Sequence, residues 1–432
     1  MNKISLLIII FLFFNNCSSN KDTSELNEKK TNLQKKNAVK GTLIKQEKNV
    51  QEFNSKLIVN VSSGELNENS DNNQNDIGEL NYKGILEKLG NYSYSGFNDF
   101  NYIEAKPIFH NEDLIFFDNK GTIIFYDQNQ KITWKKNFYS KSEKKNTPRL
   151  NLAIKKNILI VTDDIAKYYA IDLKTNEIKW EKRNIVPFNS DIKVNNNTFY
   201  IVDYKNILRA ISIKDGSEIW NLKTEESITK SNTKLSIAID KENVYFNNSI
   251  GDITAVNIKS GLLLWQLPTQ NSNISQNAFQ LSSSKLVVND NSILFSNNKS
   301  EFYSIDVKTG LINWKQEINS ILRPIVIGRY IITISSNGYL HLINKKSGDI
   351  IRINDLYKNY SLKKRSNVFP TGFVVANNKI YLTNNDGKLI IADLSSGDVL
   401  SMNKISGNKI LQPYVDNNNL FLIKNGSIIK FN

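Results

Sequence analysis

Few residues in this sequence are of a type and spacing that could do chemistry. There is one cysteine, Cys17, so neither an intrachain disulfide nor a cysteine metal cluster can form. The two histidines, His110 and His341, stand in separate strand-like stretches, His341 within the apolar run Y-L-H-L-I. A packed or edge histidine explains both more simply than a metal ligand or a general base. The acidic pair Asp163-Asp164 could be taken for a metal or carbohydrate ligand, but between two apolar runs it reads as a polar turn. No Ser/His/Asp, Cys/His, phosphate-loop or zinc spacing is present. The net charge of +14 would suit nucleic acid or another anionic surface in principle. The basic residues are scattered over turns and linker, without the dense cluster interleaved with aromatics that nucleic-acid binding requires. The expectation is a protein with no catalytic residue, metal site, cofactor or nucleic-acid partner.

The rest of the chain is a repeat. The stretch 305–314 reads I-D-V-K-T-G-L-I-N-W, and it recurs at 171–180, 211–220 and 256–265. More worn copies lie at 126–134, 343–352 and 392–401. The turn positions are Gln130, Asn176, Gly216, Gly261, Gly310, Gly348 and Gly397, spaced 46, 40, 45, 49, 38 and 49 residues apart. A period in the forties filled with strand-like sequence indicates a propeller or array. In most copies a strand enters a tight turn at Asp or Asn, and in five of the seven glycine supplies the positive φ that such turns favour. The chain then returns as a strand carrying Trp134, Trp180, Trp220, Trp265 or Trp314. A tryptophan is large enough to fill the gap between neighbouring sheets, so these five read as inter-blade packing rather than ligand contacts.

With 432 residues, 40% hydrophobic and including 21 Phe and 18 Tyr, the chain can build a large β core in one closed propeller. Each unit from about residue 80 onward reads as four short strands, A to D, separated by turn signals. The first is 106–110, 113–117, 122–126 and 131–138, with comparable units at about 149–183, 189–223, 234–268, 283–317, 322–354 and 370–403. Several units open strand C with Gly and close it with Asp or Asn six residues on, as in Gly121–Asp127 and Gly387–Asp393. Gly426–Asn432 repeats that spacing, so an eighth unit has strands A, B and C and needs a fourth strand from elsewhere. The segment 80–103 is the natural donor, with 82–89 the first choice. The predicted fold is all-β: an eight-bladed propeller of four-stranded blades over 80–432, its last blade completed by an N-terminal strand.

The amino terminus is of another kind. Lys3 precedes an apolar run at 6–14, too short to span a bilayer comfortably and suited to a secretory signal. Cys17, Ser18 and Ser19 follow, so residues 1–17 resemble a bacterial lipoprotein signal, in which the cysteine becomes the lipid-modified first residue. The preceding Phe14-Asn15-Asn16 departs from the small residues usual there, and an ordinary signal or an uncleaved anchor is the alternative. Residues 18–79 are rich in Asn, Lys, Glu and Ser and are expected to form a disordered tether. About 60 such residues would reach roughly 40–50 Å. The apolar patch 57–61 reads as a short strand or a docking segment.

The motif A/I-D-x-K-T/S-G-x-x-x-W resembles the quinoprotein-type (PQQ-like) propeller repeat across about 80–432. Together with the lipoprotein-like start, the eight units and the ending on strand C, the chain is similar to the BamB family of outer-membrane assembly lipoproteins. That resemblance implies a non-enzymatic scaffold, lipid-anchored at Cys17 to the periplasmic face of the outer membrane. It implies two partners, the POTRA domains of a BamA-like barrel protein and unfolded outer-membrane proteins. The family's partner contact lies in loops after consecutive D strands, which correspond to 224–234 after Trp220 and 269–284 after Trp265. Ile228 and Lys230 are the nearest match to the first loop's apolar and basic pattern. Gln280 and Ser282 stand about where the second loop's acidic pair would be.

Two other functions fit the repeat. One is a periplasmic propeller binding another ligand or envelope polymer. The other is a PQQ-dependent dehydrogenase, which resembles this chain in the Trp motif. That class binds calcium through Glu, Asn and Asp, uses an Asp base and often stacks its quinone on a vicinal disulfide. One cysteine rules out that disulfide, and no acidic constellation for metal and base is legible. A shared fold is no evidence of catalysis.

Overall fold

The computed structural model describes residues 52–61, 65–68, 72–226, 233–269 and 281–432. Cys17, Ile228, Lys230 and Gln280, with the lipoprotein-type signal 1–17, lie outside the described residues.

The described residues form eight four-stranded antiparallel sheets. Seven are built from consecutive strands within 108–136, 150–183, 193–223, 237–267, 287–316, 325–355 and 370–404, blades 1 to 7. Strands B and C have side chains buried on successive residues, as in Ser292–Asn297 of blade 5, because neighbouring blades cover both faces of each sheet. Strand D forms the rim and is exposed or half-buried in blades 1 to 5 and 7, whereas in blade 6 Arg352, Ile353 and Asn354 are buried.

Two local devices recur. Where strand B ends, an Asp or Asn side chain accepts the amides two and four residues on. Asp118 does so with Lys120 and Thr122, and Asn248 with Ile250 and Asp252. In each of blades 1 to 7 the pairing of strands C and D also slips, as between Ala210 and Ile211. A bulge re-aims the side chains that follow it. Here it sets Trp180, Trp220 and Trp265 opposite Ala170, Ala210 and Ala255, and Trp314 opposite Ser304.

Blade 8 comprises Tyr414–Asp416, Asn419–Lys424 and Ser427–Phe431, completed by Lys88–Ser93. The closing strand therefore comes from the N-terminal side, but later than the stretch 82–89. Lys88 pairs with Phe431 and Ser93 with Ser427, while Glu87 and Asn432 exchange backbone bonds. Tyr82 is fully buried instead, edge-on to Tyr381 of blade 7 at 5.4 Å. Burying that ring in the core between blades outweighs extending the strand toward it.

The boundary at residue 80 also moves. The described residues from Glu52 onward belong to the compact propeller unit. Phe53 bridges Ile353 on the rim strand of blade 6, and the Val59 amide donates to the Ser395 carbonyl in blade 7. Residues 72–76 reach the inner strands: Ile239 and Val288 donate to the carbonyls of Asn73 and Gln74. Leu80 then pairs with Ala376 on the way back out. The segment thus crosses from rim to axis and returns. Its composition suggests disorder because it has little apolar surface, but asparagine amides hold it. Asn75, buried and left-handed at φ 59°, donates to the carbonyls of both Ile237 and Leu286. Asn73 donates to Val194. These amides satisfy backbone groups on inner strands that face the axis with one side unpaired.

Candidate partner-binding surface

The five tryptophans stand half-buried between blades. The Nε1 groups of Trp180, Trp220, Trp265 and Trp314 donate to the carbonyls of Ile213, Ile258, Val307 and Lys345, one equivalent position in each following blade, at 2.9–3.3 Å. Under each ring lies the turn glycine of that blade. A Cβ on Gly310 would sit 2.6 Å from the ring of Trp265, and φ there is +73°. Trp134 packs edge-on to Phe125 of its own sheet at 4.9 Å. All five indoles are committed to architecture.

Other chemistry-bearing residues are similarly engaged. Asp163 is fully buried and accepts from the amides of Ile165 and Lys167 and the hydroxyl of Tyr139. Burial raises its pKa to about 6. Asp164 accepts from the Arg149 amide, so the acidic pair closes a turn of blade 2. His341 is buried with Nδ1 3.0 Å from the Tyr339 carbonyl, and burial depresses its pKa to about 4. His110 lies beside Asn111 at 3.2 Å. Among the described residues no three His, Cys, Asp or Glu groups come together to hold a metal ion.

What remains exposed is the rim. The outer strands differ sharply in what they offer. Glu177–Arg183 of blade 2 carries Glu177, Lys179, Glu181, Lys182 and Arg183. Such charges block pairing with another chain. Leu263–Leu267 of blade 4 carries no charge, and Ile312–Gln316 of blade 5 carries one. Leu262, Leu263, Leu264, Leu311 and Ile312 are exposed there, as is Ile219 on blade 3. Each strand has one unpaired edge. Blade 6 shows an outer strand receiving an extended segment, the Phe53–Ile353 bridge.

The two loops singled out from the sequence leave the far ends of the outer strands of blades 3 and 4. Their bases are fixed. Thr224 donates to the Asn206 carbonyl at 3.1 Å, and Thr269 to the Gly251 carbonyl at 2.7 Å. Where the second loop rejoins the sheet, the Ser282 amide donates to Asn298 Oδ1 at 3.1 Å. The exposed leucines escaped the sequence reading, although the run L-L-L before Trp265 in a solvent-facing strand was a legible signal.

The family model for outer membrane protein assembly factor BamB matches residues 119–354. Sequence comparison with curated proteins finds no match. The crystal structure of BamB from Moraxella catarrhalis superposes with a TM-score of 0.65 at 14% identity, over 80% of this chain and 99% of that one. A europium-containing methanol dehydrogenase superposes at 0.61 with 10% identity, over 82% and 89%. The computationally designed Ika8 protein does so at 0.59 with 12% identity, over 79% and 99%. An assembly factor, an enzyme and a designed scaffold share this fold, so these likenesses describe architecture alone.

Proposed function

The chain belongs to the outer membrane protein assembly factor BamB family, and from that premise we propose that it is a non-enzymatic scaffold in the insertion of outer-membrane β-barrel proteins. In this reading it is lipid-anchored through Cys17 on the periplasmic face of the outer membrane and binds the POTRA domains of a BamA-like barrel protein. The loops 224–234 and 269–284, with Ile228 and Lys230 in the first, supply the contact. One observation supports the reading beyond family membership: the outer strand of blade 4, which the loop 269–284 follows in the chain, is uncharged and leucine-bearing, and that of blade 5 carries a single charge. An open edge with apolar side chains suits strand addition by an extended client, with main-chain bonds giving affinity and alternate side chains giving register.

A dehydrogenase on the same fold draws support from architecture alone. The described residues that could ligate a metal are dispersed.

The test is recovery of the tagged protein from crosslinked envelopes. Co-purification of the BamA-like protein, lost on replacing 224–234 by a Gly/Ser linker, supports the scaffold. Recovery without that partner overturns it. Replacing Leu262, Leu263 and Leu264 by Thr, Lys and Thr should reduce crosslinking to unfolded barrel proteins while the larger partner is retained.

A further inference from the structure

The central channel carries charge that the scaffold reading does not use. Residues that precede the inner strands of different blades converge at its mouth, on the side where outer strands hand over to the next blade. Among the described residues five cations, Lys106, Lys234, Lys285, Arg323 and Lys409, border one cavity of about 200 Å³. They arrive from blades 1, 4, 5, 6 and 8. The carboxylates on the same described lining are Glu104 and Asp191.

Asp191 is the counterion of this cluster. Lys285 Nζ bonds to its Oδ2, and Lys234 Nζ stands 3.7 Å from its Oδ1. Burial would push its carboxyl up, but the ammonium groups of Lys285, Lys234 and Lys106 outweigh that and hold it far below the usual range. Lys234 also donates to the Glu104 carbonyl at 2.7 Å and to Asn151 Oδ1, neutral acceptors that satisfy the ammonium group without cancelling its charge. Lys409 lies apart from Asp191, donating to the Asn101 carbonyl at 2.7 Å. Burial pushes its pKa down, with Glu104 opposing. Confining like charges in a low-dielectric channel favours an entering anion.

The rim of the same cavity is apolar. Phe369 is 49% exposed and Ile321 37% exposed, and both line it. Large apolar side chains beside a cationic floor define a class of ligand: an anion with an apolar body.

We propose that the channel mouth binds a small organic carboxylate, its charged end among Lys285, Lys409 and their neighbours and its apolar body against Ile321 and Phe369. The lining includes Thr233, Lys234, Ser283 and Ser284 at the ends of the two loops assigned to partner binding, whereas Asp191, Lys285 and Lys409 lie outside those loops, so variants at these three test the channel separately from the scaffold reading.

The probe is 2-naphthoate, titrated into the full-length chain by calorimetry, with the uncharged 2-naphthamide and inorganic phosphate as controls. Naphthoate is expected to bind at least tenfold more tightly than either control. The double variant K285Q/K409Q should weaken naphthoate about tenfold or more, since a charge-assisted contact is lost at each position. D191N, which removes the competing carboxylate, should tighten it. That opposite sign separates binding from misfolding, because a damaged channel loses affinity in both variants. Equal binding of naphthoate and naphthamide overturns the charge, and phosphate outcompeting naphthoate overturns the apolar body. Weakening in D191N overturns the site.

Discussion

Two neighbouring junctions in the ring solve one packing problem differently. Between blades 5 and 6, Trp314 lies over Gly348 and donates Nε1 to the Lys345 carbonyl. Between blades 6 and 7 the tryptophan position, opposite Leu342 just before the bulge, holds Arg352. Its guanidinium donates to Leu394, the carbonyl equivalent to Lys345, at 2.7 Å. The arginine then does what an indole cannot. Its other terminal nitrogen, Nη1, donates to the carbonyls of Ser395 and, at 2.8 Å, of Leu57. A rigid ring with one donor joins two blades; a fork with five donors joins two blades and the N-terminal segment. The worn copy of the repeat is therefore a docking point rather than a decayed one.

If the contrast holds, removing the ring should cost more in global stability than removing the fork. Trp314→Ala leaves a void between blades and orphans the Lys345 carbonyl, for an expected loss of about 3 kcal/mol. Urea unfolding followed by tryptophan fluorescence should show a lower midpoint, with the N-terminal segment as protected as in the parent until the whole molecule unfolds. A loss under about 1 kcal/mol would mean that the half-buried ring fills less space than its contacts suggest.

That contrast also marks where the sequence was legible. The blade count, the strand order and the closing of blade 8 from the N-terminal side follow from period and turn chemistry, because Asp, Gly and Trp at fixed spacing each answer a local backbone or packing demand. The placement of 52–82 does not. Its apolar anchors, Val59, Val61, Ile77, Leu80 and Tyr82, fall at irregular spacing, and Asn73 and Asn75 find their partners in carbonyls more than a hundred residues away. Arg352 was visible as a departure from the repeat, but nothing local says what an arginine there would bind. For the rim, the leucines of blade 4 were readable as misplaced apolar residues, whereas Ile228 and Lys230 came from resemblance alone.

Arg352→Ala should cost less globally, about 2 kcal/mol for a buried charged donor whose carbonyl partners lose it. Its local effect should be larger. Limited trypsin digestion should cut after Lys56, next to the freed Leu57, well before the propeller is attacked. Arg352→Trp sharpens the comparison further, since the indole can rebuild the bond to Leu394 but not the one to Leu57. Global stability near that of the parent, combined with early cleavage at Lys56, is the expected pair of results. Protection of Lys56 in both variants would show that the Phe53–Ile353 bridge and the Val59 bond hold the segment without the arginine.

The smallest effect expected is one of pH, and it falls on the same blade. His341 pairs across the sheet with Ile353, the residue that bridges Phe53. Burial holds its pKa near 4, against about 6.5 in the unfolded chain, so between those values the unfolded state binds a proton that the folded state does not. Its neutral burial is fully compatible with folding above pH 6.5, and stability falls as pH drops through that window toward 4. Between pH 7.5 and 5.5 the shift amounts to roughly tenfold in the unfolding constant, about 1.4 kcal/mol. Asp163 acts in the opposite sense. Its folded pKa is raised to about 6, so it favours folding as pH falls toward 4, and it partly masks the histidine in the whole protein. The measurement is therefore a difference: urea midpoints of the parent and of His341→Gln at pH 7.5 and 5.5. The variant should lose less on acidification than the parent. An unchanged difference would mean that His341 takes up its proton in the folded state, and the strand beneath the Arg352 junction would then carry a buried charge that Asp163, in a different blade, is not placed to neutralise.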